Sequence, residues 1–425
     1  MIRSLAARDD VREVRLDLQI PLPTTITAAE SPAPAADSEW NINIIRAPEV
    51  WAINPAYNGT GAVIGSFDTG VDFTHPDLFE RYRGDHSISW FDPYGEHNIP
   101  FDANGHGTHT TGIAVGGDAG GTNIGVAPGA AWIAAKGWSD DGIALASTFH
   151  QIFEWFLAPG GDPDNAPDVI NGSWVSDEPL CDAEFVPDVE ALRAAGIFPA
   201  FGAGNDGPEA ESVRCPAAYS NSFAVGATDY FDETAWFSSR GPSPCDNSIK
   251  PDISAPGDEI LSAVPWGYEV LSGTSMATPH ITGAVAVLRS IDPALTVKEL
   301  ESALTEGAKD LDDPGPDNNS GAGRLDLFVS AQIAIRGSGF PIAKILATQA
   351  TAAEAGPVAG VFTLSRTGNT DKYLEIIYTA SGTAVAGVTT SRFPDARQSL
   401  PAPRQPQLRS SLSMMLSRSL MKQLS

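Results

Sequence analysis

Between Trp40 and about Arg336, short apolar runs alternate with segments of helical period. Ala62-Val63-Ile64-Gly65-Ser66-Phe67 stops at Asp68, and Ala131-Trp132-Ile133-Ala134-Ala135-Lys136 is a second run. Val169-Ile170 leads a third, and Ile197-Phe198-Pro199-Ala200-Phe201 is a fourth. Runs of this length between polar turns predict strands. Leu145, Phe149, Ile152, Phe153 and Phe156 share one helical face, and residues 186–195 predict another helix. Later, Ile281, Ala284, Val285, Val287 and Leu288 follow at helical spacing. In the same segment Ala277, Gly283, Ala284 and Ala286 are small enough for a helix buried on most sides. Strand, helix, strand in this order predicts an α/β domain with a mostly parallel sheet and helices on both faces. In such sheets, sites lie outside the carboxyl ends of the strands.

The flanks have other patterns. Residues 1–23 predict a short helix and one strand: Val11, Val14, Leu16, Leu18 and Ile20 are closed by Pro21 and Pro23. That is too little for a domain and reads as the end of something larger. Residues 24–39, rich in Thr, Ala, Pro and Ser, read as a linker. In residues 342–390, Val361–Ser365 and Tyr373–Tyr378 predict two strands joined by a turn at 367–371. Residues 391–425 hold six basic residues against Asp395 alone, no glycine, and prolines at 394, 401, 403 and 406. This tail is expected to be out of frame with what precedes it and unable to complete a sheet.

Charge narrows the function. The 425 residues carry a net −27, from 53 acidic and 26 basic side chains. A phosphate backbone or an anionic membrane surface needs a basic face, so nucleic-acid and membrane-surface binding are excluded. The acidity has two readings, solubility and calcium-binding loops. No apolar stretch is long enough to span a membrane. The first ten residues reach charge before an apolar signal core forms, so a truncated start without a signal peptide is expected. Cys181, Cys215 and Cys245 allow one bridge and one thiol.

Four motifs carry chemistry. Asp68-Thr69-Gly70 follows a strand directly; its carboxylate reads as a turn residue or as half of an aspartic dyad, but there is no second such motif. Gly105-His106-Gly107-Thr108-His109 opens a helix. Its histidines read as zinc ligands, as core residues, or as a base with a bystander; no third ligand motif accompanies them, and the glycines flanking His106 favour it as the base. Gly273-Thr274-Ser275-Met276-Ala277-Thr278-Pro279-His280 puts Ser275 at a helix mouth, where orphan amides stabilise an oxyanion, and places Pro279 in a first turn. Phe201-Gly202-Ala203-Gly204-Asn205 offers a side-chain amide after a strand, an oxyanion donor or a turn asparagine.

Together, in the order Asp, His, Asn, Ser, these motifs resemble the subtilisin-like (subtilase) serine proteases, and within them the bacillopeptidase F-like members. The resemblance covers residues 40–336 and extends to Asp68-Thr69-Gly70-Val71-Asp72, Gly125-Val126-Ala127-Pro128-Gly129, Phe237-Ser238-Ser239-Arg240-Gly241-Pro242 and Lys250-Pro251-Asp252-Ile253-Ser254-Ala255-Pro256-Gly257. It implies a doubly wound, seven-stranded sheet and endopeptidase activity on proteins or peptides, with no cofactor for the chemistry. In roles, it implies Ser275 as nucleophile, His106 as base, Asp68 as its orienting carboxylate and Asn205 with the Ser275 amide as oxyanion hole. It implies substrate pairing along Ser173-Trp174-Val175 and Gly204, where many relatives have glycine in place of Val175. It further implies a monomeric, secreted enzyme and a prodomain that inhibits it, of which residues 1–23 would be the end. Structural calcium is expected, with Asp162, Asp164 and Asp168 as candidate ligands. Residues 342–390 resemble the opening strands of a Calx-beta domain, truncated. Because the loops after Val175 and Asn205 border one cleft, a Cys181–Cys215 bridge is expected, leaving Cys245 outside it. An acyl-enzyme transpeptidase or ligase, and a non-catalytic binding protein on the same scaffold, remain alternatives.

Overall fold

The computed structural model describes residue 14 and residues 16–27, 38–176 and 181–336, with strands at 342–349, 360–367, 374–376, 398–400 and 412–416. The chain divides into two compact units, Met1–Ile335 and Arg336–Ser425. In the first unit, β1 (Ile26–Thr27) precedes the strands of the main sheet. These are β2 (Val63–Asp68), β3 (Trp90–Phe91), β4 (Ala131–Lys136), β5 (Val169–Gly172), β6 (Phe198–Gly202), β7 (Phe223–Thr228) and β8 (Ile253–Pro256). Their order is β3-β4-β2-β5-β6-β7-β8. Every neighbouring pair is parallel, where the sequence predicted a mostly parallel sheet. From β2 the chain runs out to β3 and β4, then crosses back to β5 and beyond. That reversal opens a crevice at the carboxyl ends of β4, β2 and β5. An antiparallel hairpin, β9 (Ile260–Val264) and β10 (Gly267–Ser272), stands apart from this sheet, and β1 pairs with β10.

Helices α1 (His106–Val115), α2 (Ala146–Leu157), α3 (Val186–Ala194) and α4 (Thr274–Ile291) pack on the sheet. The predicted stripe of α2 is the buried one: Phe149, Ile152, Phe153 and Phe156 lie in the core. Leu145 does not join them; it is the N-cap and is exposed. Phe67, the residue before Asp68, lies with its ring centroid 4.6 Å from Phe149 and 5.1 Å from both Phe153 and Trp174. Each such aromatic pair adds about 0.5–1.5 kcal/mol to simple burial. The strand end that carries Asp68 is thereby held rigidly.

Every residue of α4 from Thr274 to Leu288 is buried. Pro279 sits inside this helix rather than in its first turn. Its ring lacks the amide that would bond the Ser275 carbonyl. The Ser173 hydroxyl donates to that carbonyl instead, at 2.9 Å. A proline inside a buried helix is thus tolerated because a neighbouring strand end satisfies the orphaned oxygen.

The bridge joins Cys181 to Cys245, with 5.2 Å between Cα atoms, and corrects the expected Cys181–Cys215 pair. The Ser243 hydroxyl donates to the Ala218 carbonyl (2.6 Å) and accepts from the Cys245 amide (3.1 Å), which brings a third loop to the other two. Cys215 faces the core, its sulfur 4.0 Å from that of Cys245.

In the second unit, β11 (Ile342–Gln349) and β15 (Leu412–Leu416) flank β12 (Gly360–Thr367), and β13 (Leu374–Ile376) pairs with β14 (Gln398–Leu400), all antiparallel. Among the described residues, β12 pairs with β11 and β15 and β13 with β14, in place of the predicted pairing between 361–365 and 373–378. The tail, expected to complete no sheet, contributes β14 and β15; both fall between or beyond its prolines, where amides remain to pair.

Candidate active site

The site is assembled at strand ends. Asp68 ends β2, and His106 is the first residue of α1, capped by Gly105. A Cβ on Gly107 would lie 2.1 Å from the Gly70 carbonyl oxygen, so only glycine lets α1 start this close to β2. As a result His106 Nδ1 donates to Asp68 Oδ1 at 2.6 Å, with both side chains buried. Asp68 also accepts from the Thr69 amide (2.8 Å) and the Thr110 hydroxyl (3.1 Å). Its carboxylate is therefore satisfied without water. The far nitrogen of His106, Nε2, is buried and has no hydrogen-bond partner among the described residues.

Asp102 holds this turn together and was missed in the sequence. It accepts from the Thr69 hydroxyl (2.9 Å), the Gly105 and Thr108 amides (both 2.9 Å) and the Thr108 hydroxyl (2.6 Å). Burial pushes its carboxyl pKa up, while these donors pull the other way. The available signal was an Asp four residues before His106 in Asp102-Ala103-Asn104-Gly105, a side chain able to bond amides a few residues on.

The other two histidines of these motifs, His109 and His280, are core residues. His109 donates from Nε2 to the Glu269 carbonyl at 3.0 Å, and burial pushes its pKa down to about 3. His280 donates from Nδ1 to the Met276 carbonyl and accepts from Asn41, both at 2.9 Å, and burial pushes it to about 4. Both are neutral at neutral pH.

Ser275 is the second residue of α4, and its hydroxyl donates to the Ser173 carbonyl at 3.2 Å. Asn205 follows β6. Its Oδ1 accepts from the Thr274 amide (2.9 Å) and hydroxyl (3.1 Å), which orients Nδ2 the other way. A Cβ on Gly273 would lie 3.3 Å from Asn205 Nδ2 and 3.6 Å from the Ser275 amide nitrogen, so both nitrogens border one spot that glycine leaves open. Ser173, Trp174, Val175, Gly204, Asn205 and Ser275 line one cavity of about 140 Å³. The Trp174 ring belongs to the core beneath it, only 2% exposed.

That cavity is also lined by Pro21, Leu22, Pro23 and Thr24. Upstream, the Asp17 carboxylate accepts from the Ser147 amide (2.9 Å) and hydroxyl (2.6 Å). The Leu18 carbonyl accepts from the Ala146 amide at 2.8 Å, Gln19 bridges to Leu145, and the Ile20 amide donates to the Ala144 carbonyl at 3.1 Å. The Trp138 indole donates to the Ile20 carbonyl at 3.1 Å. The turn bearing Trp138 is anchored by wholly buried Lys136, whose ammonium meets the Trp138 carbonyl (2.7 Å), Glu96 (2.9 Å) and Asp140 (2.8 Å). Downstream, Ile26 and Thr27 pair with Ser272 and Leu271. Among the described residues, the strand predicted to close at Pro21 and Pro23 is reduced to a single bridge at Gln19, and the chain runs on along the crevice to β1 at Ile26–Thr27.

The predicted calcium ligands are not gathered into one set. Asp162 accepts from the Asp164 amide (3.0 Å); Asp168 accepts from the Val63 amide (2.9 Å) and faces Arg289 (3.7 Å). These residues as placed do not fit a bound calcium ion. Among the described residues, two other groups converge, Glu96 with His97 and Asp140, and the three cysteines. In the first, Glu96 and Asp140 pair with the Lys136 ammonium and His97 bonds Asp140, and the bridge occupies two sulfurs of the second.

The profile of the Subtilase family matches residues 59–323, more than half of the chain. The chain belongs to the subtilase family. It is accordingly a subtilisin-like serine endopeptidase by class. It is 42% identical to Bacillopeptidase F of Bacillus subtilis (strain 168) over 345 residues, covering 75% of this chain and 24% of that protein. It is 35% identical to Subtilisin BL of Lederbergia lenta over 299 residues, covering 70% of this chain and 98% of that protein. It is 32% identical to Serine protease AprX of Bacillus subtilis (strain 168), covering 66% and 68%. Among the described residues, no helix is long and apolar enough to cross a membrane.

Proposed function

We propose that this chain hydrolyses peptide bonds of proteins through an acyl-enzyme on Ser275. The observation that carries the reading is the buried His106–Asp68 pair with His106 Nε2 left empty. A buried imidazole fixed by a carboxylate on one nitrogen and unpartnered on the other is prepared to accept one proton. Ser275 gives its proton to Nε2 as its oxygen attacks the substrate carbonyl carbon. Asp68 stabilises the imidazolium that forms. Asn205 Nδ2 and the Ser275 amide receive the negative oxygen, which develops only in the transition state. His106 then protonates the departing amine, and a water repeats the cycle on the ester. In this structure the Ser275 hydroxyl bonds the Ser173 carbonyl, and a rotation about its Cα–Cβ bond precedes attack. Ser173, Trp174, Val175 and Gly204 form the wall beside the acyl half of the substrate. No residue here requires a cofactor for these steps.

The Cys181–Cys245 bridge supports a place outside the cytoplasm, since such bridges persist in oxidising compartments. The segment through Thr24 supports a prodomain reading of the N-terminal residues. A fluorophosphonate tests the chemistry. It should label wild type at Ser275 and leave Ser275→Ala unlabelled; labelling of a different residue, or none, overturns the reading.

A further inference from the structure

We propose that Cys181, Cys215 and Cys245, once their bridge is reduced, form a three-thiolate site for a thiophilic divalent metal ion such as zinc or cadmium. Bridge and metal are then alternative occupants of one place. The proposal rests on the cysteines and not on the mechanism given above.

The three sulfurs all lie within 4.8 Å of one another. Cys181 and Cys245 are bonded, and the Cys215 sulfur is 4.0 Å from that of Cys245. Three cysteines could instead serve to move a bridge from one pair to another. A thiolate attacks a disulfide along its S–S axis. With S–S bonds near 2.05 Å, that line would put the outer sulfurs about 6 Å apart here. The sulfurs form a compact triangle, not a line. Sulfurs bound to one zinc at about 2.3 Å stand about 3.8–4.0 Å apart. Cys215 and Cys245 already have that separation. Only the Cys181 sulfur has to withdraw. Cys181 is the exposed member of the group, Cys215 is buried and Cys245 lies between. A movement at the surface thus completes the triangle, and its exposed side leaves a fourth position to water.

The loops that gather the sulfurs are held by bonds other than the bridge. Ser243 joins the Ala218 carbonyl to the Cys245 amide. The Ser176 amide donates to the Cys215 carbonyl at 2.8 Å. The Ser176 and Tyr219 hydroxyls both donate to the Asp182 carboxylate, each at 3.0 Å, beside Cys181 in the chain. The three cysteines therefore stay neighbours when the bridge opens. A set of thiolates gathered in this way selects thiophilic ions over magnesium or calcium.

The balance is simple. Opening the bridge takes two electrons and two protons, supplied by a dithiol that itself becomes a disulfide. The ion then bonds all three sulfurs, and three thiol protons pass to solvent. A divalent ion with three thiolates leaves a single negative charge.

Cadmium titration of full-length Ser275→Ala protein tests this, the substitution guarding against self-digestion during reduction. After reduction by a phosphine without oxygen, a thiolate-to-cadmium absorption band should saturate at one ion per chain. Cadmium should protect all three thiols from a thiol reagent and raise the Tm of the reduced protein. It should also keep the bridge from re-forming when an oxidised dithiol is added. The oxidised protein should show no band. Adding Cys215→Ser should abolish one-to-one binding in the reduced protein, while the Cys181–Cys245 bridge still forms on oxidation. Cadmium that binds the oxidised protein equally, leaves any of the three thiols reactive, or binds the Cys215→Ser protein as tightly overturns the proposal. So does a reduced protein that loses its circular dichroism and does not regain it with one equivalent of cadmium.

Discussion

At the residue scale, the atoms of the proposed mechanism depend on groups that do no chemistry. Ser275→Ala should lower kcat by about 10⁶-fold, as removal of the nucleophile does in subtilisin itself. Asn205→Ala should lower it by about 10²–10³-fold, since one oxyanion donor is lost and the nucleophile stays. Here Asn205 also accepts from the Thr274 amide and hydroxyl, so the alanine variant should lose stability as well as rate. Active-site titration combined with single-turnover kinetics separates the two effects. Ser173→Ala tests a different dependence. Its hydroxyl is the donor to the Ser275 carbonyl that Pro279 leaves without an amide. A buried carbonyl left unsatisfied costs about 1–3 kcal/mol, so the urea midpoint should fall by a matching amount. An unchanged midpoint would mean that Pro279 is accommodated in another way.

At the scale of elements, the pairing of helices α2 and α3 has a pH signature. His150 on α2 bonds Asp188 of α3 (2.9 Å) and Glu184 (3.0 Å), and the Asp188 bond, followed by the Glu184 bond, raises its pKa to about 9 despite partial burial. The unfolded value lies near 6.5. The folded state therefore binds the proton more tightly. This stabilisation is complete below about pH 6.5 and is lost as pH rises through about 9. The Tm advantage of wild type over His150→Gln should shrink across that window. A constant difference would remove the charge from the explanation.

The same scale shows what was legible. Strands ending at Asp68 and Lys136, and the stripe of α2, follow from runs and spacing in the chain itself. The β9–β10 hairpin and strands β7 and β8 were not read, because Phe223–Thr228 and Ile253–Pro256 are short and interrupted by glycine, serine or proline. The motifs around Asp68, His106, Asn205 and Ser275 were legible because the proposed chemistry restricts their residue types. Thr24 was not. Its place depends on Asn205, 181 residues away, and prolines at 21 and 23 read as an end when the crevice supplies the pairing from outside. The cysteine pairing failed for a like reason: it is decided by the Ser243 contact to Ala218, which no local pattern announces.

At the scale of the whole molecule, the site belongs to one unit. Asp68, His106, Asn205 and Ser275, the strands whose ends carry them and the helix Leu327–Arg336 fall within or at the edge of Met1–Ile335. The second unit, Arg336–Ser425, has its own pairings, β11-β12-β15 and β13-β14. Units with separate internal contacts fold separately in the ordinary case. A chain ended after Gly339 should therefore label at Ser275 as the full chain does, with kcat/KM within about threefold. It should also associate less. Among the described residues, the three-stranded sheet of the second unit ends at β11 and β15 and the two-stranded sheet at β13 and β14, so strand edges go with the unit when it is removed. Light scattering and kcat/KM on the two proteins measured side by side check both halves. A large loss of activity in the shortened chain, with its circular dichroism unchanged, would show that residues beyond 339 act on the site.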